Sequence, residues 1–305
     1  MANLAIEKIS EFTGHNGGIY LLIPGRNSNT LISGAGDFLL AEWDLKGNNK
    51  PRVLVQAESA VLSACLTPDK KFLIVGDLKS NLNIIDLHKK EEIKKLYLAQ
   101  KAIFKICVDP RNNILMASTG DGKLLGFSIP DFELKYQINV SLSSLRSISI
   151  HPEGEFAALG SSDNYVYLFD LKTQKIFYKT EAHGNSVFSV TWSPDGQYLA
   201  SAGRDAHINI WTANPTLKKY HVIPAHMHTI NALVFSPDGK WLASASRDKE
   251  IRIWSTHDWS LLKVINHKFA GHTRSVNCLY WSKHNKYLLS AGDDKIIYCW
   301  KISEI

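Results

Sequence analysis

The stretch HGNSVFSVTWSPDGQYLASAGRDAHINIW at 183–211 is answered by HMHTINALVFSPDGKWLASASRDKEIRIW at 226–254. The two share an opening histidine, a central Ser-Pro-Asp-Gly, a Leu-Ala-Ser-Ala run, an Arg-Asp pair and a closing tryptophan, 43 residues apart. A chain that repeats itself at a fixed period of about 40 residues is built from stacked supersecondary units. The same period runs outward in both directions. Short apolar segments end at Trp43, Ile85, Phe127, Phe169, Trp211, Trp254 and Trp300, at intervals of 42, 42, 42, 42, 43 and 46 residues.

Six residues before these ends stands an aspartate in six units: Asp37, Asp121, Asp163, Asp205, Asp248 and Asp294, with Lys79 in the second. A further 22 residues upstream lies His15, His183, His226 or His272 in four units, and Ala57, Ala99 and Ser141 in the others. Seven units are therefore expected. The turns Ser193 to Gly196 and Ser236 to Gly239, with Thr67-Pro68-Asp69 and His151-Pro152-Glu153-Gly154 as relatives, punctuate each unit, since proline presets φ and glycine accepts a positive one. Between turns the segments are short, rich in Val, Ile, Phe, Tyr and Trp, and about ten residues apart, the pattern of antiparallel strands. Four strands fit each unit. In the fifth they are 186–193, 198–202, 208–212 and 220–223.

These residues resemble the WD-repeat (WD40) family, which has Gly-His near the start of each unit and Trp-Asp near its end. The matching pairs are Gly14-His15 with Trp43-Asp44, Ala182-His183 with Trp211, Ala225-His226 with Trp254, and Gly271-His272 with Trp300. The literal Trp-Asp pair occurs once. The resemblance implies an all-β, seven-bladed β-propeller with four antiparallel strands per blade, set radially around a channel, and it covers residues 1–305 as one propeller. The last unit has three strands and no fourth, while residues 4–12 precede the first histidine as an orphan strand. Their pairing would complete blade 7 and close the ring, leaving no full sheet edge exposed.

Composition fits this reading. The chain has 305 residues, 45% hydrophobic and 21% charged, which argues for a globular protein rather than a disordered or fibrous one. Charged residues interrupt the start, no run of about 18 apolar residues occurs, and nothing extends beyond the repeats, so a cytoplasmic protein without a membrane span or an attached domain is expected. Cys65, Cys107, Cys278 and Cys299 lie in apolar strands without a CxxC pair and read as core residues. The net charge of +6 is mildly basic, but segments such as 88–95 mix lysine with glutamate, which dilutes the field.

His, Ser and Asp recur together: His15, Ser33 and Asp37; His183, Ser201 and Asp205; His226, Ser244 and Asp248; His272, Ser290 and Asp294, each followed by Trp43, Trp211, Trp254 or Trp300. A serine hydrolase needs one activated nucleophile beside an oxyanion hole, and fourfold repetition at equivalent places speaks for architecture instead. The family resemblance implies buried hydrogen-bonded tetrads that join the strands of a blade. Blades two to four lack the set and are expected to be held by apolar packing alone. His226-Met227-His228 has no third ligand, so no metal is expected, and Gly34-Ala35-Gly36-Asp37 precedes no helix, so no phosphate loop or cofactor is expected.

The resemblance places a partner on the upper rim, at the channel mouth. Five residues after each histidine site lie Tyr20, Leu62, Phe104, Arg146, Phe188, Asn231 and Asn277, and just before the turn aspartates lie Arg204 and Arg247. Tyr20, Leu62, Phe104, Arg146, Phe188, Arg204 and Arg247 form the candidate patch, because interface centres are enriched in aromatics and arginine. It suits a protein or peptide that is acidic or phosphorylated and partly apolar. The reading is a non-catalytic scaffold, monomeric on its own. The alternatives are a nucleic-acid or acidic-ligand propeller, recognisable by steep salt dependence, and a propeller enzyme, for which the four extra residues of the last interval leave little room.

Overall fold

The structure, a computed structural model, describes residues 4–47, 50–98, 101–213, 216–283 and 286–304. Among them the chain forms seven four-stranded antiparallel sheets, one per sequence unit, arranged as the blades of a propeller. In blade 5 the strands run Val187–Trp192, Tyr198–Gly203, His207–Ala213 and Leu217–Pro224, within a few residues of the expected segments.

Burial follows strand position. The middle strands are covered on both faces by the neighbouring blades: Phe72–Asp77 and Asn81–Asp86 of blade 2 are buried along their whole length. Doubly covered strands have no solvent face, so Phe72–Asp77 reads as the apolar run FLIVG, while Asn81–Asp86 buries Asn81, Asn83 and Asp86 among its apolar residues. The outer strand Lys175–Glu181 alternates residue by residue between exposed and partly buried, as a half-covered strand must. Seven apolar clusters hold the blades together, most of them bridging adjacent blades, as when Ile84 of blade 2 meets Leu115 and Phe127 of blade 3.

The turns follow from local chemistry. In Ser193-Pro194-Asp195-Gly196 the serine hydroxyl donates to Asp195 at 2.5 Å and accepts from the Tyr198 N–H at 2.9 Å, while Gly196 takes φ 73°. Blade 6 repeats the device through Ser236, Asp238 and Gly239 at φ 74°. The long final interval forms a short 3-10 turn, His267–Phe269, which Asn266 caps by accepting from the Lys268 N–H.

Leu4–Thr13 pairs antiparallel with Ile296–Glu304, from Leu4 opposite Glu304 to Thr13 opposite Ile296, with one irregularity between Lys8 and Ser10. The start of the chain therefore supplies the outer strand of blade 7. Leu4 and Phe12 are each 1% exposed, and Phe12 meets Trp43 of blade 1 edge to face at 5.9 Å. The inner strand of blade 7, Val276–Trp281, lies against that of blade 1, Ile19–Pro24, which completes the ring. Deleting residues 1–12 removes Leu4 and Phe12 from the core, uncovers Trp43 and leaves Ile296–Glu304 as a bare edge. A lower melting temperature and concentration-dependent aggregation are expected, and a truncated protein that melts like the full chain contradicts the closure.

Candidate functional site

Each recurring His-Ser-Asp-Trp set is one hydrogen-bonded chain. In blade 1 Trp43 Nε1 donates to Ser33 Oγ at 2.7 Å, Ser33 Oγ lies 2.7 Å from His15 Nε2, and His15 Nδ1 lies 2.9 Å from Asp37. Blades 5, 6 and 7 repeat it through Trp211, Ser201, His183 and Asp205; Trp254, Ser244, His226 and Asp248; and Trp300, Ser290, His272 and Asp294, with every link between 2.8 and 2.9 Å. The indole can only donate, so the serine accepts from it and turns its own proton toward Nε2, leaving Nδ1–H to donate to the carboxylate. All four serines are fully buried, so none can meet a substrate.

The aspartate also organises two loops. Its carboxylate accepts the N–H of the residue after the histidine, as Met227 N to Asp248 at 3.1 Å, and the N–H two residues beyond itself, as Glu250 N at 3.0 Å. The residue between, such as Phe38, Ala206, Lys249 or Lys295, takes a positive φ that the side-chain bond holds in place. Burial by itself raises the Asp248 pKa, but the hydrogen bond and charge interaction with His226 and the two backbone N–H groups outweigh it and hold the carboxyl at about 2.

Blades 2 to 4 correct the expectation of apolar packing alone. Lys79 occupies the aspartate site of blade 2, but the carboxylate has moved two residues upstream: fully buried Asp77 accepts from Asn81 Nδ2 at 2.7 Å and from the Lys79 and Asn81 N–H groups at 2.9 Å. In blade 4 Ser141, at the histidine site, donates directly to Asp163 at 2.6 Å, and the Tyr167 hydroxyl joins it at 2.6 Å. In blade 3 Asp121 is held by Thr119 at 2.5 Å and Lys123 at 2.8 Å, while Ala99 lies outside the described residues. The turn before the third strand needs an acceptor whichever residue supplies it: the carboxylate in blades 2 and 4, and in blade 3 the Thr119 hydroxyl, which accepts the Lys123 N–H at 3.1 Å and donates to Asp121.

Ligand atoms of His226, Asp248 and Glu250 lie within 4.8 Å of one another. His226 is bound to Asp248 and Ser244, and Glu250 forms an ion pair with Arg252 at 2.7 Å, so these donors already have partners. Burial pushes all four thiols up, Cys107 to about 12 and Cys299 to about 11, which makes them poor nucleophiles.

The inner strands enclose a channel of about 640 Å3. Tyr20, Leu62, Phe104, Arg146 and Phe188 line it together with Asn231 and Asn277, whereas Arg204 and Arg247 stand exposed on turns outside its lining. The candidate patch is thus a mouth of five residues with two outlying arginines. Arg146 Cζ lies 4.1 Å from the Phe104 ring centre and 5.2 Å from that of Phe188, and its Nε donates to Ser162 at 3.0 Å. Burial lowers its pKa from the usual arginine value, as expected of a cation held by rings instead of a counter-ion. On the other side the mouth is closed by its own bonds: Asn231 Nδ2 donates to Val276 O at 2.8 Å, and Asn277 Nδ2 to Asp293 at 2.7 Å and Ile19 O at 3.1 Å.

Three exposed residues lay outside the positions read from the repeat. Leu142, beside Arg146 in the loop entering blade 4, is fully exposed, and Met227 is 82% exposed. Lys105 follows Phe104 and also lines the channel. A lysine inside the strand Ile103–Asp109 reads in sequence as an outward residue, because only ring closure creates an inner surface for it to face.

Family profiles match the family described as "WD domain, G-beta repeat" at residues 133–170, 174–212, 217–255 and 263–301, just over half of the chain. Each matched stretch begins at the outer strand of one blade and ends on the third strand of the next, so the sequence repeat is offset from the blade by one strand. Among curated proteins nothing matches the chain.

Asp248→Ala leaves His226 Nδ1 and the Met227 N–H without their acceptor, so a stability loss of about 1–3 kcal/mol is expected in denaturant titrations. Because the folded pKa lies below the unfolded value of 3.8, the wild-type advantage is present above about pH 4 and disappears as pH falls toward 2. A variant as stable as the wild type at neutral pH contradicts the role given to this carboxylate.

Proposed function

Since the chain belongs to the WD40-repeat family, whose propellers generally mediate protein–protein interaction, we propose that it is a non-catalytic scaffold that holds a protein or peptide segment at its channel mouth. The observation that carries this is Arg146, held against the rings of Phe104 and Phe188 with no carboxylate partner among the described residues. Aromatic rings and a preorganised guanidinium are what interface centres use, because rings add contact area at little entropic cost and the fork pairs bidentately with an anion. Leu62 and Tyr20 add apolar lining to the same channel, Leu142 is exposed in the loop entering blade 4, and Arg204 and Arg247 add exposed charge, which suits a partner both acidic and partly apolar.

The residues that look catalytic support the same reading. Their polar atoms are tied into four buried networks, and the buried thiols are poor nucleophiles. Among the described residues no helix is long and apolar enough to cross a membrane. We assign the protein to the cytoplasm, where four free thiols are at home, as a monomer of one propeller.

Affinity capture from the native host extract tests the reading by comparing the intact protein with a variant carrying Arg146→Glu, Arg204→Glu and Arg247→Glu. Charge reversal at the mouth is expected to abolish capture of a specific partner while leaving the melting temperature within a few degrees. A partner retained unchanged by the variant rules out this face.

A further inference from the structure

Resting on that reading, we infer that the channel below the mouth receives a phosphorylated side chain of the bound segment, with Lys105 and Arg146 as the two cations that hold the phosphoryl group. Lys105 belongs to the second ring of channel positions, one residue deeper than the mouth. Its Nζ has no hydrogen bond or ion pair among the described residues, and the equivalent positions on the other inner strands are the neutral Leu21, Ser63, Ser147, Ser189, Ala232 and Cys278. No carboxylate is among the described residues that line the channel. Two cations in one neutral-walled channel create a positive field with no internal counter-charge, and low-dielectric walls focus it on whatever enters.

The serines of the second ring are used by the ring itself. Ser147 and Ser189 each accept an N–H from the next blade, Val190 N and Leu233 N, at 3.1 Å, and the Ser63 hydroxyl is closed off from the channel. The second ring therefore offers one ammonium, one strand position below a guanidinium whose Nη groups have no protein partner among the described residues.

The charge count selects among anions. A carboxylate carries one charge and two oxygens, which a bidentate arginine fully engages, leaving Lys105 uncompensated. A phosphate monoester carries about −1.5 to −2 at pH 7 and three acceptor oxygens. Lys105 and Arg146 lie on the inner strands of neighbouring blades and differ in depth by one strand position, about 3.3 Å of rise, and both line the same channel. A phosphodiester of single-stranded nucleic acid brings only one charge per group.

The test uses the full chain and a fluorescent phosphoserine peptide library with randomised flanks. Controls are the same library unphosphorylated or with glutamate at that position, an oligo-dT strand, and inorganic phosphate as competitor. Phosphopeptides are expected to be selected over both control libraries, and the best binder to weaken at least about tenfold on either Lys105→Met or Arg146→Gln, the loss of one charge-assisted contact. Its affinity is expected to rise as pH increases through about 6, where the phosphate gains its second charge. Selection of glutamate or unphosphorylated peptides that depend on Arg146 but not on Lys105 overturns this inference and leaves the proposed scaffold function standing. Tighter binding of oligo-dT, equal competition by free phosphate without any flank preference, or no selection from any library also overturns it. The capture experiment with the charge-reversed mouth decides the scaffold reading separately.

Discussion

A sheet whose middle strands are buried on both faces must be covered on both faces, and among the described residues the elements that do so are further copies of the same sheet. Phe72–Asp77 and Asn81–Asp86 show the constraint plainly, since not one residue of either strand reaches solvent appreciably. A row of such sheets always leaves two uncovered faces at its ends. Closing the row into a ring removes both, and the pairing of Leu4–Thr13 with Ile296–Glu304 fastens it by main-chain hydrogen bonds between the chain ends.

Once the ring is closed, polar groups between strands must be satisfied internally, and the seven blades do this in two ways. Blades 5, 6, 7 and 1, consecutive around the ring, carry the Trp-Ser-His-Asp chain. Blades 2 to 4 form the remaining arc and keep only the carboxylate, moved to Asp77 in blade 2 and held by Ser141 and Tyr167 in blade 4. The invariant need is an acceptor for the backbone N–H groups of the tight turn before the third strand; the imidazole and indole are additions to it. The unusual mouth residues belong to this second arc or its border, Leu62, Phe104 and Arg146 together with Lys105, and the loop entering blade 4 presents Leu142 to solvent instead of a histidine-anchored turn.

The mouth is asymmetric for the same reason. Asn231 and Asn277 use their amides to bind one blade to the next, so the side near blades 6, 7 and 1 is occupied with its own cohesion. Arg146 is held by two rings and an Nε bond, which fixes its plane while leaving the rest of the fork unpaired among the described residues. Rigid placement with no counter-ion among the described residues is the property on which the proposed receptor role of this side chain rests.

The 42-residue spacing, the turn glycines and the alternation of Trp43, Trp211, Trp254 and Trp300 with their aspartates determined the number of units, the strand order within each and the membership of the four tetrads, because these are local patterns that every unit must repeat. Tyr20, Leu62, Phe104, Arg146 and Phe188 were legible as a set through the same indexing. What the period could not decide is what each side chain meets across a blade boundary: that Arg204 and Arg247 stand outside the channel, that Asp77 replaces a missing aspartate, or that Lys105 faces a lumen lined by no described carboxylate. Those facts depend on contacts between residues some 40 positions apart, and a repeat states the period of such contacts without stating their chemistry. Only the closed ring brings the inner strands together and gives a lysine in the middle of a strand something to face.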